Sequence, residues 1–181
     1  VVSRPQWKGL FTQRIDSAPV LTFGTDAIND ATAAGTDSRT LSVDESETFL
    51  GRPSTKLVIT GSGSGSEIGV GVSTASINLP ARAQDIDNHR LVLALKTDGQ
   101  NEPNTLRLFV GNSNYGAYKS WGFTATDYGT VGGWRLYERM TTLGNEFGSG
   151  TVDFTSPVRA RIAVYTTATV KAGSIWLAAC W

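Results

Sequence analysis

The chain has 181 residues, with sixteen Lys and Arg against sixteen Asp and Glu, one Cys, one His, five Trp and twenty Gly. Zero formal net charge provides no long-range field to draw in nucleic acid or an anionic membrane, and a lone cysteine excludes a disulfide within the chain. No apolar run approaches the ~20 residues of a spanning helix, so membrane insertion is not expected, and no signal-peptide pattern opens the chain.

Residues 1–38 are the least regular. Trp7, Leu10 and Phe11 form a small apolar group, Val20–Phe23 is a short strand candidate, and Asp26–Ala34 could form only a short helix, with Asp26 as cap and Gly35 as stop. The expectation is an N-terminal arm or edge strand with a loop over 1–38, followed by a β-sandwich domain over 39–181.

From Thr40 onward strands follow one another. TLSV and ETFL flank an acidic turn, and GRPS leads into TKLVITG. GSGSGS at 61–66 has linker composition but lies between two strand-like runs, which predicts a flexible hairpin loop. EIGVGVS places Ile68, Val70 and Val72 on one face. RLVLALKTD and TLRLFVGN are strong strands joined by DGQNEPN, whose Asp-Gly and Pro favour a turn. YGAYKSWGFTAT, GGWRLYERM, PVRARIAVYT and GSIWLAACW complete the set.

Successive strand side chains point to opposite faces, so alternation identifies the core side. In the last third, Val158, Ala160, Ile162 and Val164 alternate with Arg159, Arg161 and Tyr165. By the same argument Trp134, Leu136 and Met140 are expected inside, with Arg135, Tyr137 and Arg139 outside. About ten short strands without a long helix predict an all-β fold, a two-sheet antiparallel β-sandwich of jelly-roll type.

The order of the pieces GRPSTKLVIT, INLP, RLVLALKT, GGWRLYERMT and the closing VRARIAVYTTATVKAGSIWLAAC resembles the jelly-roll carbohydrate-binding-module-like domains found beside glycoside hydrolases and in bacteriophage tail fibres and tailspikes. The resemblance implies a non-catalytic module for cell-surface glycan recognition, with VRAR…AAC as a closing hairpin. Such domains commonly carry an Asp in the last strand that is associated with a structural calcium ion. Here Ile175-Trp176-Leu177 is followed by Ala178 and Ala179, so no cofactor is expected and calcium is unsupported.

Catalytic chemistry finds little footing. His89 is the only histidine and no G-x-S-x-G elbow accompanies it. Asp85, Asp87 and His89, or Asp98 to Glu102, could face a cation, but turn chemistry explains both segments equally. Glu138 interrupts an apolar strand face as a general acid candidate or as a salt-bridge partner. Aromatics carry more weight, because sugar rings stack on Trp and Tyr. Tyr115, Tyr118, Trp121 and Tyr128 lie among Asn, Ser, Lys and Gly, and Arg135, Tyr137 and Arg139 extend the expected ligand-binding surface, with Tyr165, Arg159 and Arg161 beside them.

The expected role is thus glycan binding as part of a larger protein, a phage tail fibre or tailspike by the resemblance, located on a virion tail or outside the cell. The expected partner is a polysaccharide or cell-surface glycan, with no nucleic acid. A structural or oligomerisation module of a viral appendage is the alternative, a homotrimer covering the Trp7-Leu10-Phe11 arm and Trp181. A polysaccharide hydrolase with an unrecognised carboxylate pair is the third.

Overall fold

The structure, a computed structural model, describes residues 21–22, 38–61, 67–71, 79, 84, 90–112, 116–124, 130–131, 133–140, 147–166 and 169–180. Twelve strands are found among them: β1 (Leu21–Thr22), β2 (Ser38–Phe49), β3 (Arg52–Thr60), β4 (Glu67–Gly71), β5 (Arg90–Thr97), β6 (Pro103–Gly111), β7 (Tyr118–Thr124), β8 (Thr130–Val131), β9 (Trp134–Met140), β10 (Phe147–Ser149), β11 (Arg159–Thr166) and β12 (Gly173–Cys180). They form two antiparallel sheets. One runs β2-β3-β12-β5-β9-β8 with β1 also paired to β12, and the other runs β10-β7-β6-β11-β4. The all-β sandwich expected from alternation is the observed fold.

The core lies between the sheets. Leu57, Ile59, Leu91, Leu93, Leu95, Ile175 and Leu177 face it from the seven-stranded sheet, and Leu106, Leu108, Val110, Trp121, Phe123, Ala160, Ile162 and Val164 face it from the five-stranded one. β11 follows the expected alternation: Val158, Ala160, Ile162 and Val164 are buried, while Arg159, Arg161 and Tyr165 are only half-buried.

Three connections differ from expectation. β3 and β4 belong to different sheets, so the glycine-serine segment at 61–66 joins two sheets and is no hairpin loop. The same holds for β11 and β12, expected as a closing hairpin. Local composition signals a turn but not the sheet to which the next strand returns. Residues 40–49 form one continuous strand rather than two. The ladder to β3 shifts register between Asp44 and Thr48, and the Asp44 carboxylate accepts the N–H groups of Ser46 and Glu47 at 3.0 and 3.1 Å. The acidic turn is thus a bulge inside a strand.

The β9 faces are assigned the other way round. Tyr137 is 1% exposed and belongs to the inter-sheet core. Trp134 and Leu136 are also buried, but in a second cluster with Phe49, Val92, Ala94 and Ala178, against which Trp176 packs. These residues occupy the outer side of the seven-stranded sheet. They are covered because the bulged end of β2 leans across that side. Asp44 Oδ2 accepts the Trp176 indole N–H on β12 at 2.9 Å, Lys96 Nζ on β5 reaches Glu47 Oε2 at 2.6 Å, and the Phe49 ring lies 5.7 Å from that of Trp134 on β9. A β-sheet with both sides covered shows apolar residues on both, so alternation alone could not rank the two sides of β9.

Leu50 and Gly51 form the two-residue loop after β2, both with positive φ (52° and 73°). That geometry matches the twist of a tight hairpin but suits Asn-Gly better than Leu-Gly. The described parts of the 1–38 arm are β1, which pairs with Ala179 and Cys180, and Ser38, which already opens β2. Trp7, Leu10, Phe11, the 26–34 segment and Trp181 lie outside the described residues, as do the β4 side chains.

Candidate functional site

The outer side of the five-stranded sheet is built by the outward residues of β6, β7, β10 and β11. On β6 these are Thr105, Arg107 and Phe109, which alternate with buried Leu106, Leu108 and Val110. On β11 they are Arg159, Arg161, Ala163 and Tyr165. Register then sets the rows: Arg161 pairs with Phe109, Ala163 with Arg107 and Arg159 with Gly111. Across β7, Phe109 pairs with Ser120 and Gly111 with Tyr118, and on edge strand β10 Phe147 pairs with Ser120.

These rows bring rings and guanidinium groups together. Arg161 Cζ lies 4.5 Å from the centroid of Phe109. Arg107 Cζ lies 4.3 Å from Phe147 and 5.5 Å from Tyr165. Phe109 and Tyr118 rings are 6.0 Å apart and tilted by 49°. Phe147 is 54% exposed, a large aromatic presented to solvent on a short edge strand. Ser120, beneath it, is buried and its hydroxyl donates to the Phe147 carbonyl at 3.0 Å, fixing β10 in place. Cation–π stacking holds both partners at one geometry, which preorganises the surface.

Of the residues expected to bind ligand, Tyr118 is here. Trp121 is not: it is 0% exposed and packs in the inter-sheet core. The reason is parity, since positions three apart on one strand point to opposite faces. Arg135, Tyr137 and Arg139 belong to β9 in the other sheet and do not join Tyr118. Arg135 is exposed but ion-paired with Glu102, whose other oxygen accepts the Thr97 hydroxyl at 2.7 Å. Burial pulls the Arg135 guanidinium down, but Glu102 and the adjacent Tyr137 hydroxyl together hold it above its ordinary value. Burial pushes the Tyr137 phenol up, with Arg135 opposing. Tyr115 and Tyr128 lie outside the described residues, as do Asp85, Asp87 and His89.

The segment 98–102 is explained by turn bonding. Asp98 accepts the N–H groups of Gln100 and Ser174 at 3.1 and 2.7 Å, and the Asn101 side chain bridges to the Lys171 backbone at 2.8 and 2.9 Å. Among the described residues no three His, Cys, Asp or Glu side chains gather as a metal-binding group. Glu138 is half-buried on the Trp134 side of β9, paired across with Val92. Phe109, Phe147 and Arg107 were not expected in the site. The signal for the β6 pair was there, because Thr105-Leu106-Arg107-Leu108-Phe109-Val110 alternates like β11 and leaves an aromatic on its polar side.

No family model and no curated protein matches the chain. Solved structures do resemble it. Two structures of a family 30 carbohydrate-binding module superpose with TM-scores of 0.53 and 0.52 at 15% and 14% identity. They cover 91% of this chain in each case, and 87% and 98% of the respective modules. At that identity the likeness concerns the fold: this chain has the β-sandwich architecture of those modules.

Proposed function

We propose that the protein is a non-catalytic carbohydrate-binding module that contacts a glycan through the outer side of its five-stranded sheet. The observation that carries the proposal is the solvent-facing group of Phe109, Tyr118, Phe147 and Tyr165 interleaved with Arg107 and Arg161 on a rigid sheet. Aromatic rings there offer apolar faces and edges to sugar C–H groups, and guanidinium and hydroxyl groups serve the sugar oxygens. The module fold of the two superposed structures supports the same role. Neither structure bears on the tail-fibre setting, and the proposal stands without it.

Glycoside hydrolysis needs two carboxylates flanking the scissile bond. The described outward side chains of β6, β7, β10 and β11 include no carboxylate. A glycan array read with the wild-type chain and with Tyr118→Ala and Phe147→Ala tests the role. Each substitution should weaken binding by about 3- to 10-fold, the worth of one lost aromatic contact, and Arg135→Ala should leave binding unchanged. Retention of full affinity in both aromatic variants overturns the assignment of the face.

A further inference from the structure

One sheet edge stands apart from the others. The seven-stranded sheet ends at β2 on one side and β8 on the other, and the five-stranded sheet ends at β10 and β4. β8 has two residues, β10 three, and β4 five with glycines at 69 and 71, so those ends offer little ladder to a neighbour. β2 has 12 residues. From Ser38 to Asp44 its ladder with β3 is regular, and residues 38–43 contain no proline, lysine or acid. The devices that protect an edge, a bulge and acidic side chains, begin only at Asp44.

The backbone groups of this half of β2 can be placed from the ladder. Asp98 donates its N–H to the Ser174 carbonyl at 3.2 Å, which turns the Ser174 backbone toward β5. Backbone direction alternates along a strand, so Ile175 addresses Leu57 on β3, and Lys56 and Val58 address Ser42 and Thr40 on β2. The N–H and C=O groups of Leu41 and Val43 therefore point away from β3, and no described strand takes them. The side chains at these positions are apolar. Leu41 packs against the inter-sheet core, and Val43, in step with it on the same side of β2, is 58% exposed.

We propose that two copies of the chain pair antiparallel through β2 about a two-fold axis at Ser42, joining two seven-stranded sheets into one. In that register Leu41 of each copy stands opposite Val43 of the other and exchanges both backbone hydrogen bonds with it, while the two side chains cover one another. Arg39 comes opposite Glu45, the exposed first residue of the bulge, so opposite charges meet at both ends of the strip. Moving the axis to Leu41 sets that residue on itself and Arg39 against Val43, and the charge match is lost. An axis normal to the sheet keeps both five-stranded sheets on one side, so the outer faces of the two copies look the same way. The pairing itself does not depend on the glycan reading.

Sedimentation equilibrium of the full chain tests the proposal over roughly 10 μM to 1 mM, a range that covers the dissociation constants of weak pairs. The mass should climb from one chain of 19.3 kDa toward two. Val43→Pro deletes an outward N–H that β3 does not use, so it should keep the fold and weaken association at least tenfold. Glu45→Arg should weaken it severalfold, and Arg39→Glu added to Glu45→Arg should restore it, with thermal unfolding of each variant to confirm folding. If Val43→Pro does not fold, the charge swap decides. A single-chain mass throughout overturns the proposal, as does a trimer. A dimer that both Val43→Pro and Glu45→Arg leave intact overturns the β2 edge, and a swap that fails to restore what Glu45→Arg loses overturns the register.

Discussion

Replacing Trp121 by Ala separates a core residue from a binding residue most sharply, because the residue lies in an aromatic stretch that composition alone would assign to a ligand. Its side chain is 0% exposed among Leu106, Leu108, Phe123 and their neighbours. Deleting a fully buried Trp removes its transfer free energy and leaves a cavity, for an expected loss of about 3–5 kcal/mol. In a chain of this size each kcal/mol lowers the midpoint by about 2–4 °C, so a fall of roughly 6–20 °C follows. Trp121→Phe should lose roughly half as much. It keeps an aromatic ring, and the indole N–H has no hydrogen-bond partner to forfeit among the described residues. Phe147→Ala, at a ring 54% exposed, should cost about 1 kcal/mol or less. Scanning calorimetry of the three variants, read beside glycan affinity per folded molecule, is the assay. A Trp121→Ala midpoint within 2 °C of wild type, with binding lost, would refute the inward placement of Trp121 and with it the parity argument for β7.

Leu50→Asn should raise stability by roughly 0.5–1 kcal/mol, because Asn tolerates the left-handed φ of 52° better than Leu; denaturant midpoints would show it, and a decrease would contradict the turn geometry. Gly173→Ala should destabilise by about 1–3 kcal/mol, since a Cβ there would meet the Asp98 carboxylate at 2.9 Å while that carboxylate is held by Ser174 N–H; an unchanged midpoint would mean the loop yields freely. The Ser46 hydroxyl and the Trp176 indole, with backbone N–H groups, hold the Asp44 carboxyl well below the usual carboxylate range. A depressed folded value means that its stabilisation is complete above the unfolded value of about 3.9 and is lost as pH falls toward the folded one. The midpoint gap between wild type and Asp44→Asn should therefore be constant above about pH 5 and narrow below about pH 4; a gap that widens in acid would reverse the sign of the argument. The Trp176 indole, which donates its N–H to this carboxylate at 2.9 Å, offers a second readout, an emission spectrum expected to change in the Asn variant.

What the amino-acid order determined by itself is the place of the long strands β3, β5, β6, β7, β9, β11 and β12 and, where one side of a strand faces water, which side. β11 shows this: a small, oily residue at every second position and Arg or Tyr between leaves one arrangement that buries the former. The same rule, applied to Tyr118 and Trp121, already forbids them a common face on one strand. Tertiary structure decided the rest. β9 has apolar side chains on both sides because the end of β2 leans over the outer one, and nothing local to β9 announces that cover. Sheet membership was likewise not written in the loops, since a turn such as 61–66 or 98–102 has the same composition whether the chain doubles back or crosses over. The rows that set Arg161 on Phe109 and Arg107 on Phe147 join residues tens of positions apart. Their meeting follows from register across a sheet, a long-range consequence of burying the opposite side.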